Sequence, residues 1–409
     1  MIRVNRDEVL SEDTLIGFEP LGSLRPEWLG EDRTIPLIFP RIYKNNCAGE
    51  VLAYFNGQNG RLPAIVLSGK DMVFNFDPKE TVDFLMRESY LVPKNTGYKF
   101  LPFNYQIVPG EIRRFIKKLT VIAARKRFKL SSFPSWPIEA SVETMRHILL
   151  QGRPYISWPQ GKKFAVILSH DIDTHEGFAN VNKFIAIEKK YGLISSWFVV
   201  GSLFASHVPE LKALKGQDLE IGCHGYLHDN KLVALTLSKM KESLLNCGDM
   251  IKELGVRGFR SPSLFRSREL FEALEGVFSY DTSVPDTEVF LQYAPHSGCC
   301  TVFPYRAQGA LLEVPITMPL DSTLLALGLS IDEMFEIWKN KISWIKKVGG
   351  IAHFLNHAES YYSGNPKMLG LYERLADFIS HDRDCWVTKA CDAAEWWSAK
   401  EKELISWPM

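Results

Sequence analysis

The sequence has no surplus of charge of either sign: Lys plus Arg and Asp plus Glu each number 48, so the formal net charge is zero. Binding along a nucleic acid needs excess positive charge to displace counterions from phosphate, so the balance predicts no nucleic acid partner. Long hydrophobic runs are also missing. Runs such as residues 164–168 fall far short of the roughly 20 residues that span a bilayer, so no transmembrane segment is expected. Residues 1–8 are charged and have no apolar stretch behind them, which predicts no secretory signal. The seven cysteines form no CxxC pair. That spacing supports neither a zinc ribbon nor a disulfide framework, and reduced thiols in a cytoplasmic protein are expected.

What is present is the composition of a globular chain. Hydrophobic residues make up 46% and charged residues 23% of 409, a length that suggests two or three domains. A composition break at 131–161, with Pro134, Pro137, Pro154 and Pro159, reads as a connector containing one helix at 142–150. A domain boundary is placed near residue 155. Before it come short β-rich runs at 35–39, 51–55 and 64–67, then helical patterns at 79–90 and 111–130. The second helical pattern sets many Lys and Arg against a single acid, Glu111. Such a helix can lie on anionic lipid as a peripheral contact, or present a solvated face over a buried stripe.

From residue 164 onward short apolar runs alternate with helical segments: strands at 164–168, 196–200, 220–223, 311–314, 350–355 and 386–388, and helices at 180–191, 209–215, 238–254, 331–348 and 367–381. This alternation predicts a parallel α/β architecture, barrel or open sheet, whose sites lie at the C-terminal ends of strands.

Chemistry-bearing residues fall at those ends. After the strand at 164–168, Asp171 and Asp173 share a face if the chain stays extended. A divalent cation would relieve their repulsion by binding one and leaving the other as a base; a helix N-cap at Asp173 or Thr174 is the plainer alternative. His224 and His228 follow another strand, with Gly222 and Gly225 allowing a tight path. Two imidazoles and the Asp173 carboxylate supply three N/O ligands and leave a position open for water, the pattern of a catalytic zinc site. Arg260 before Pro262, Asp281 and His357 complete the series, and each taken singly fits an ion pair, a turn residue or a half-buried polar group. His353 is the alternative to His357 if its strand ends earlier.

In this order, Asp171-Ile-Asp173, His224-x-x-x-His228, Arg260-x-Pro262, Asp281-Thr-Ser and Leu355-x-His357 resemble the motif series of polysaccharide deacetylases, the NodB-homology enzymes of carbohydrate esterase family four. The resemblance covers roughly residues 160–395. It implies a distorted (β/α)7 barrel as catalytic domain over 156–400, preceded by a smaller α/β N-terminal domain over 1–155 whose role it does not touch. It also implies site roles: Asp171 as catalytic base, His357 as catalytic acid, Arg260 orienting the base and Asp281 orienting the acid. Asp173, His224 and His228 become the ligands of a divalent metal, with Zn2+ expected. The implied reaction is metal-dependent removal of an N-acyl group, expected to be acetyl, from an aminosugar in a glycan or glycan precursor.

The sequence departs from the family pattern by Asp-Ile-Asp in place of adjacent aspartates, by Gly225 after the first metal histidine, by Ser263 after Pro262, and by the lack of a Trp after Asp281. These departures imply a smaller or differently shaped substrate than chitin or peptidoglycan. Two other functions stand beside this one: a metal-dependent phosphohydrolase, from the adjacent His170 and Asp171, and a catalytically silent glycan-binding protein on the same barrel.

Overall fold

The computed structural model describes residues 2–30, 34–58, 60–91, 133–289 and 296–403; the basic helical pattern at 111–130 lies outside them. Among the described residues the strands form two sheets. The first contains β1 (Ile2–Val4), β2 (Val9–Pro20), β3 (Ile35–Tyr43), β4 (Glu50–Gly57), β5 (Gly60–Ser68) and β6 (Asp71–Phe74), in the order β1-β6-β5-β4-β2-β3. Alternate residues of these strands point to one face, where Phe18, Phe39, Phe55, Phe74 and Phe76 meet in a buried cluster. Two helices cover that face. Pro78–Met86 is capped by the Asp77 carboxylate, which accepts from the amides of Lys79 and Glu80; Ser141–Leu150 adds Val142, Met145, Ile148 and Leu149 to the same core. The sequence pattern missed β1, β2 and β6, of which β2 is the longest. Its Ser, Glu, Asp and Thr hide any alternation, and pairing with β3 and β4 holds it in place.

The second sheet contains β7 (Phe164–Ile172), β8 (Ser195–Val199), β9 (Glu220–Cys223), β10 (Gly258–Phe259), β11 (Tyr280–Asp281), β12 (Tyr305–Gln308), β13 (Leu311–Glu313), β14 (Ile351–His357) and β15 (Cys385–Thr388). Seven parallel strands run in the order β13-β11-β10-β9-β8-β7-β14; antiparallel β12 lies outside β13, and β15 pairs with the first half of β7. All residues of β7 are buried. A strand covered on both faces needs no polar alternation, which is why it reads as an unbroken apolar run. The ring closes without a strand pair: the amides of Thr317 and Met318 donate to the His353 carbonyl at 3.2 and 3.0 Å, and the His353 amide donates to the Thr317 hydroxyl at 2.9 Å. The fold is thus a curled α/β barrel with an additional N-terminal sheet.

Helices pack outside the barrel near the predicted positions, with one difference. The pattern at 238–254 is two helices, Leu237–Leu245 and Gly248–Leu254, broken at Asn246 and Cys247. Asn, Cys and Gly are weak helix formers in succession, and the Cys247 thiol turns inward to within 3.5 Å of the Cys223 sulfur. No helix among the described residues is long and apolar enough to cross a membrane.

Candidate active site

Parallel strands deliver their C-terminal ends to one mouth of the barrel. β7 carries Asp171 and leads into Asp173, β9 leads into His224, β10 into Arg260, and β14 ends at His357. Asp171 and His357 are register partners across the β7–β14 pair, so their side chains leave neighbouring strands on the same side.

Asp173, His224 and His228 each offer one ligand atom, and these atoms lie within 4.8 Å of one another. His224 Nδ1 stands 3.0 Å from the Arg260 carbonyl. A carbonyl only accepts, so Nδ1 carries the proton and Nε2 is left bare, the arrangement a ligating histidine needs. His224 Nε2 lies 3.3 Å from Asp173 Oδ1, and His228 Nε2 lies 3.5 Å from Asp173 Oδ2. The turn between the imidazoles requires Gly225, whose φ of +70° is in the left-handed region, and a Cβ there would meet the Pro262 ring at 3.0 Å. Burial opposes ionisation of Asp173, yet the His228 and His224 imidazoles outweigh it and hold the carboxyl well below its usual range. Burial also opposes charge on His224, but Asp171 and Asp173 raise its pKa; at His228 burial dominates and the pKa falls. One carboxylate and two nitrogen donors with an open side fit a divalent cation.

Asp171 and Asp173 converge on His224, with Asp171 Oδ2 at 3.6 Å from its Nε2. The other Asp171 oxygen accepts from Arg260 Nη1 at 2.6 Å. Arg260 is wholly buried and locked from every side: Nη2 donates to the Ser169 hydroxyl at 2.7 Å and reaches His353 Nε2 at 3.3 Å, Nε donates to the Thr282 carbonyl, and the guanidinium lies 4.0 Å over the Phe198 ring. His353 is therefore a neutral support beneath the arginine. Burial and then the guanidinium push its pKa well below the ordinary value, and its Nδ1 faces the Pro315 carbonyl. Arg260→Leu leaves Asp171 buried without its partner, and the expected destabilisation is about 3–5 kcal/mol, to be read as a lower urea midpoint.

At the opposite side of the mouth His357 Nδ1 stands 2.8 Å from Asp321 Oδ1, while its backbone amide donates to Asp321 Oδ2 at 2.8 Å. Ser363 adds a third bond to that carboxylate at 2.7 Å. Burial disfavours the imidazolium, but Asp321 above all, then Asp173 and Asp171, raise the His357 pKa to about 10. Burial likewise works against charge on Asp321, and His357 overcomes it, so the carboxyl is lowered.

Asp281 is not the residue beside His357. It ends β11, and its carboxylate accepts from the Ser283 hydroxyl at 2.8 Å and the Ser283 amide at 3.1 Å while standing in register with Glu313 of β13. Burial raises the pKa of both acids, Glu313 far above its usual range, so the pair shares a proton rather than carrying two charges. β13 and the loop after it lie between β11 and β14, and that loop opens the helix Asp321–Ala326, which carries Asp321 to the histidine. Nothing in the linear sequence marks Asp321 rather than Asp281 as the partner of His357.

Glu359 also escaped sequence reasoning. Its carboxylate is fully buried beside the Asp173 turn, and burial followed by the Asp173 charge pushes its pKa up to about 8. The other histidines lie apart from the ligand set: His170 Nε2 meets Glu188 at 2.8 Å, His175 Nδ1 meets His207 Nε2 at 2.8 Å, and His296 Nδ1 faces the Pro134 carbonyl.

Residues 159–275 match the family model described as polysaccharide deacetylase. The match supports the polysaccharide deacetylase superfamily for the barrel. Among similar proteins is the peptidoglycan deacetylase of Helicobacter pylori, 22% identical over 240 residues that span 52% of this chain and 82% of that one. Among solved structures, a putative polysaccharide deacetylase from Mycobacterium smegmatis superposes with a TM-score of 0.50 at 19% identity, covering 63% of this chain and 97% of its own. A probable polysaccharide deacetylase from Pseudomonas aeruginosa PAO1 gives a TM-score of 0.48 at 16% identity over 61% of this chain and 95% of its own. At 19% identity the likeness to the Mycobacterium smegmatis structure speaks for the fold alone.

Proposed function

We propose that this polysaccharide deacetylase homologue is a metal-dependent amidohydrolase that removes an N-acyl group, acetyl in the first instance, from an aminosugar. The observation that carries the reading is the pairing of opposite charges across one mouth. A carboxylate held by a guanidinium (Asp171 with Arg260) and an imidazole held by a carboxylate (His357 with Asp321) flank the Asp173, His224 and His228 donor set.

In this reading those three side chains hold a divalent cation, with Zn2+ as the choice for mixed imidazole and carboxylate donors. Such an ion, when bound, polarises the acyl carbonyl and lowers the pKa of water to about 7. Asp171 takes the proton from the attacking water. Arg260 holds the carboxylate in place, spending one arm on it while itself immobilised by Ser169, His353 and Thr282. His357, kept protonated by Asp321, gives its proton to the departing amine, which would otherwise have to leave as an anion. Beside His357 the Tyr362 ring lies at 4.5 Å, and Leu227 between the ligand histidines is 46% exposed. Together they offer apolar surface for the face of a single sugar ring.

A glycan precursor suits this site better than a long polymer. Ser263 stands where the family pattern has an aromatic after Pro262, and no Trp follows Asp281. A cytoplasmic setting suits the chain as well, since all seven cysteines are free thiols and six are buried.

The test is mass spectrometry of N-acylated sugar nucleotides and lipid-linked aminosugars after incubation with zinc-loaded protein. Loss of the acyl group, abolished by a chelator and restored by zinc, is the expected result. Phosphate release from the same panel without deacylation would overturn the reading in favour of a phosphohydrolase.

A further inference from the structure

We propose that Glu359 is a positioning residue for the metal-binding turn: its buried carboxylate grips the backbone at Asp173 and Thr174 and so sets where the Asp173 side chain stands. This rests on the reading of Asp173 as a metal ligand.

One oxygen does the holding. Glu359 Oε1 accepts from the Asp173 amide at 2.9 Å, the Thr174 amide at 3.0 Å and the Thr174 hydroxyl at 3.2 Å. Oε2 is buried and meets no hydrogen-bond partner among the described residues. The two segments are 186 residues apart in sequence. Glu359 follows His357 by two residues, so the same short loop carries the proposed acid and the strut beneath the proposed ligand. That loop is itself fastened to the turn it supports. The Ala358 amide donates to the Asp171 carbonyl at 3.0 Å, Asn180 Nδ2 donates to the Ala358 carbonyl at 2.8 Å, and the Ser360 amide donates to Glu176 Oε1 at 3.3 Å.

The helix that follows the turn makes room for the carboxylate. A Cβ at Gly177 would stand 2.7 Å from Glu359 Oε1 and 3.1 Å from Ile172 Cγ2. Gly177 is a poor helix residue in the first turn of His175–Lys190, and Ala would be the better helix former. Glycine is therefore matched to the space the carboxylate occupies rather than to the helix. Removing the carboxylate orphans two buried amides, whose relaxation would rotate Asp173 away from His224 and His228. Because Oε1 accepts whether or not the acid carries a proton, an amide can do the same work.

The experiment measures zinc affinity of the apo full chain by competition with a chelating dye, together with turnover. Glu359→Gln is expected to stay within about threefold of the parent, and Glu359→Ala to weaken zinc binding by about 10–100-fold, the usual range for a group that orients a ligand. Gly177→Ala, which displaces the carboxylate without removing it, should behave like Glu359→Ala, and it keeps the test open if the latter does not fold. A folded Glu359→Ala or Gly177→Ala protein with the parent's zinc affinity overturns the proposal. Asp173→Ala separates this from the reading beneath it. If Asp173→Ala alone weakens zinc, the strut fails and the ligand assignment stands; if it too binds zinc as the parent does, the ligand assignment falls.

Discussion

Asp171→Asn is expected to lower turnover by about 10²–10⁴-fold, the contribution of a positioned general base, while zinc binding is retained. The amide keeps the shape of the carboxylate, and its oxygen can still accept from Arg260 Nη1, which reaches Asp171 Oδ1 at 2.6 Å. What it loses is the ability to take a proton. The ligand set of Asp173, His224 and His228 is untouched by the change, so a metal titration should be indistinguishable from that of the parent. Steady-state rates on an N-acylated substrate, paired with zinc content by elemental analysis, read both halves. Undiminished turnover in the zinc-loaded variant would remove Asp171 from the reaction and leave the proton of the attacking water without an acceptor.

The second large effect belongs to Asp321→Asn. An acid works only while protonated, so activity that depends on His357 falls as pH rises through its pKa, which Asp321 and the neighbouring carboxylates raise from 6.5 to about 10. With Asp321 neutralised, burial, the opposing influence on His357, gains weight and the imidazolium is no longer held through the physiological range. The alkaline limb of the rate profile should move down by more than one pH unit, with turnover in mildly alkaline buffer reduced by about 10²–10³-fold. The acid limb, which reports the base, should stay where it was. Asp281→Asn is the comparison. Its carboxylate faces Ser283 and Glu313, so that variant should leave the alkaline limb in place. An equal shift in both variants, or in neither, would show that Asp321 does not govern the acid.

Much of the barrel was legible because burial on both faces writes a plain signature. The β7 run and the helix Ile331–Val348 stand out, the first because its neighbours on either side are apolar, the second because its buried face repeats with the helical period and its Ser330 and Glu333 form a capping box. The cluster of two imidazoles and a carboxylate was legible for a related reason. Polar side chains at the end of an apolar strand have few structural uses, and Asp173, His224 and His228 fall at two such ends. β2, the two-residue strand β11 and the break at Asn246 were not legible, since pairing partners distant in sequence hold them.

By itself, then, the order of residues determined the alternating α/β class, the strand ends where chemistry would sit, and the types of donor available there. These depend on local periodicity and on residue chemistry, which survive in a linear string. Which acid stands against which base was decided only by the tertiary structure. Asp281 at the end of β11 and Asp321 beyond β13 are both acids near strand ends, yet one is buried against Glu313 and the other reaches His357. Glu359 beneath Asp173 belongs to the same class of fact. Hydrogen bonds across a closed barrel are set by register and loop path, and neither has a period that the sequence can show.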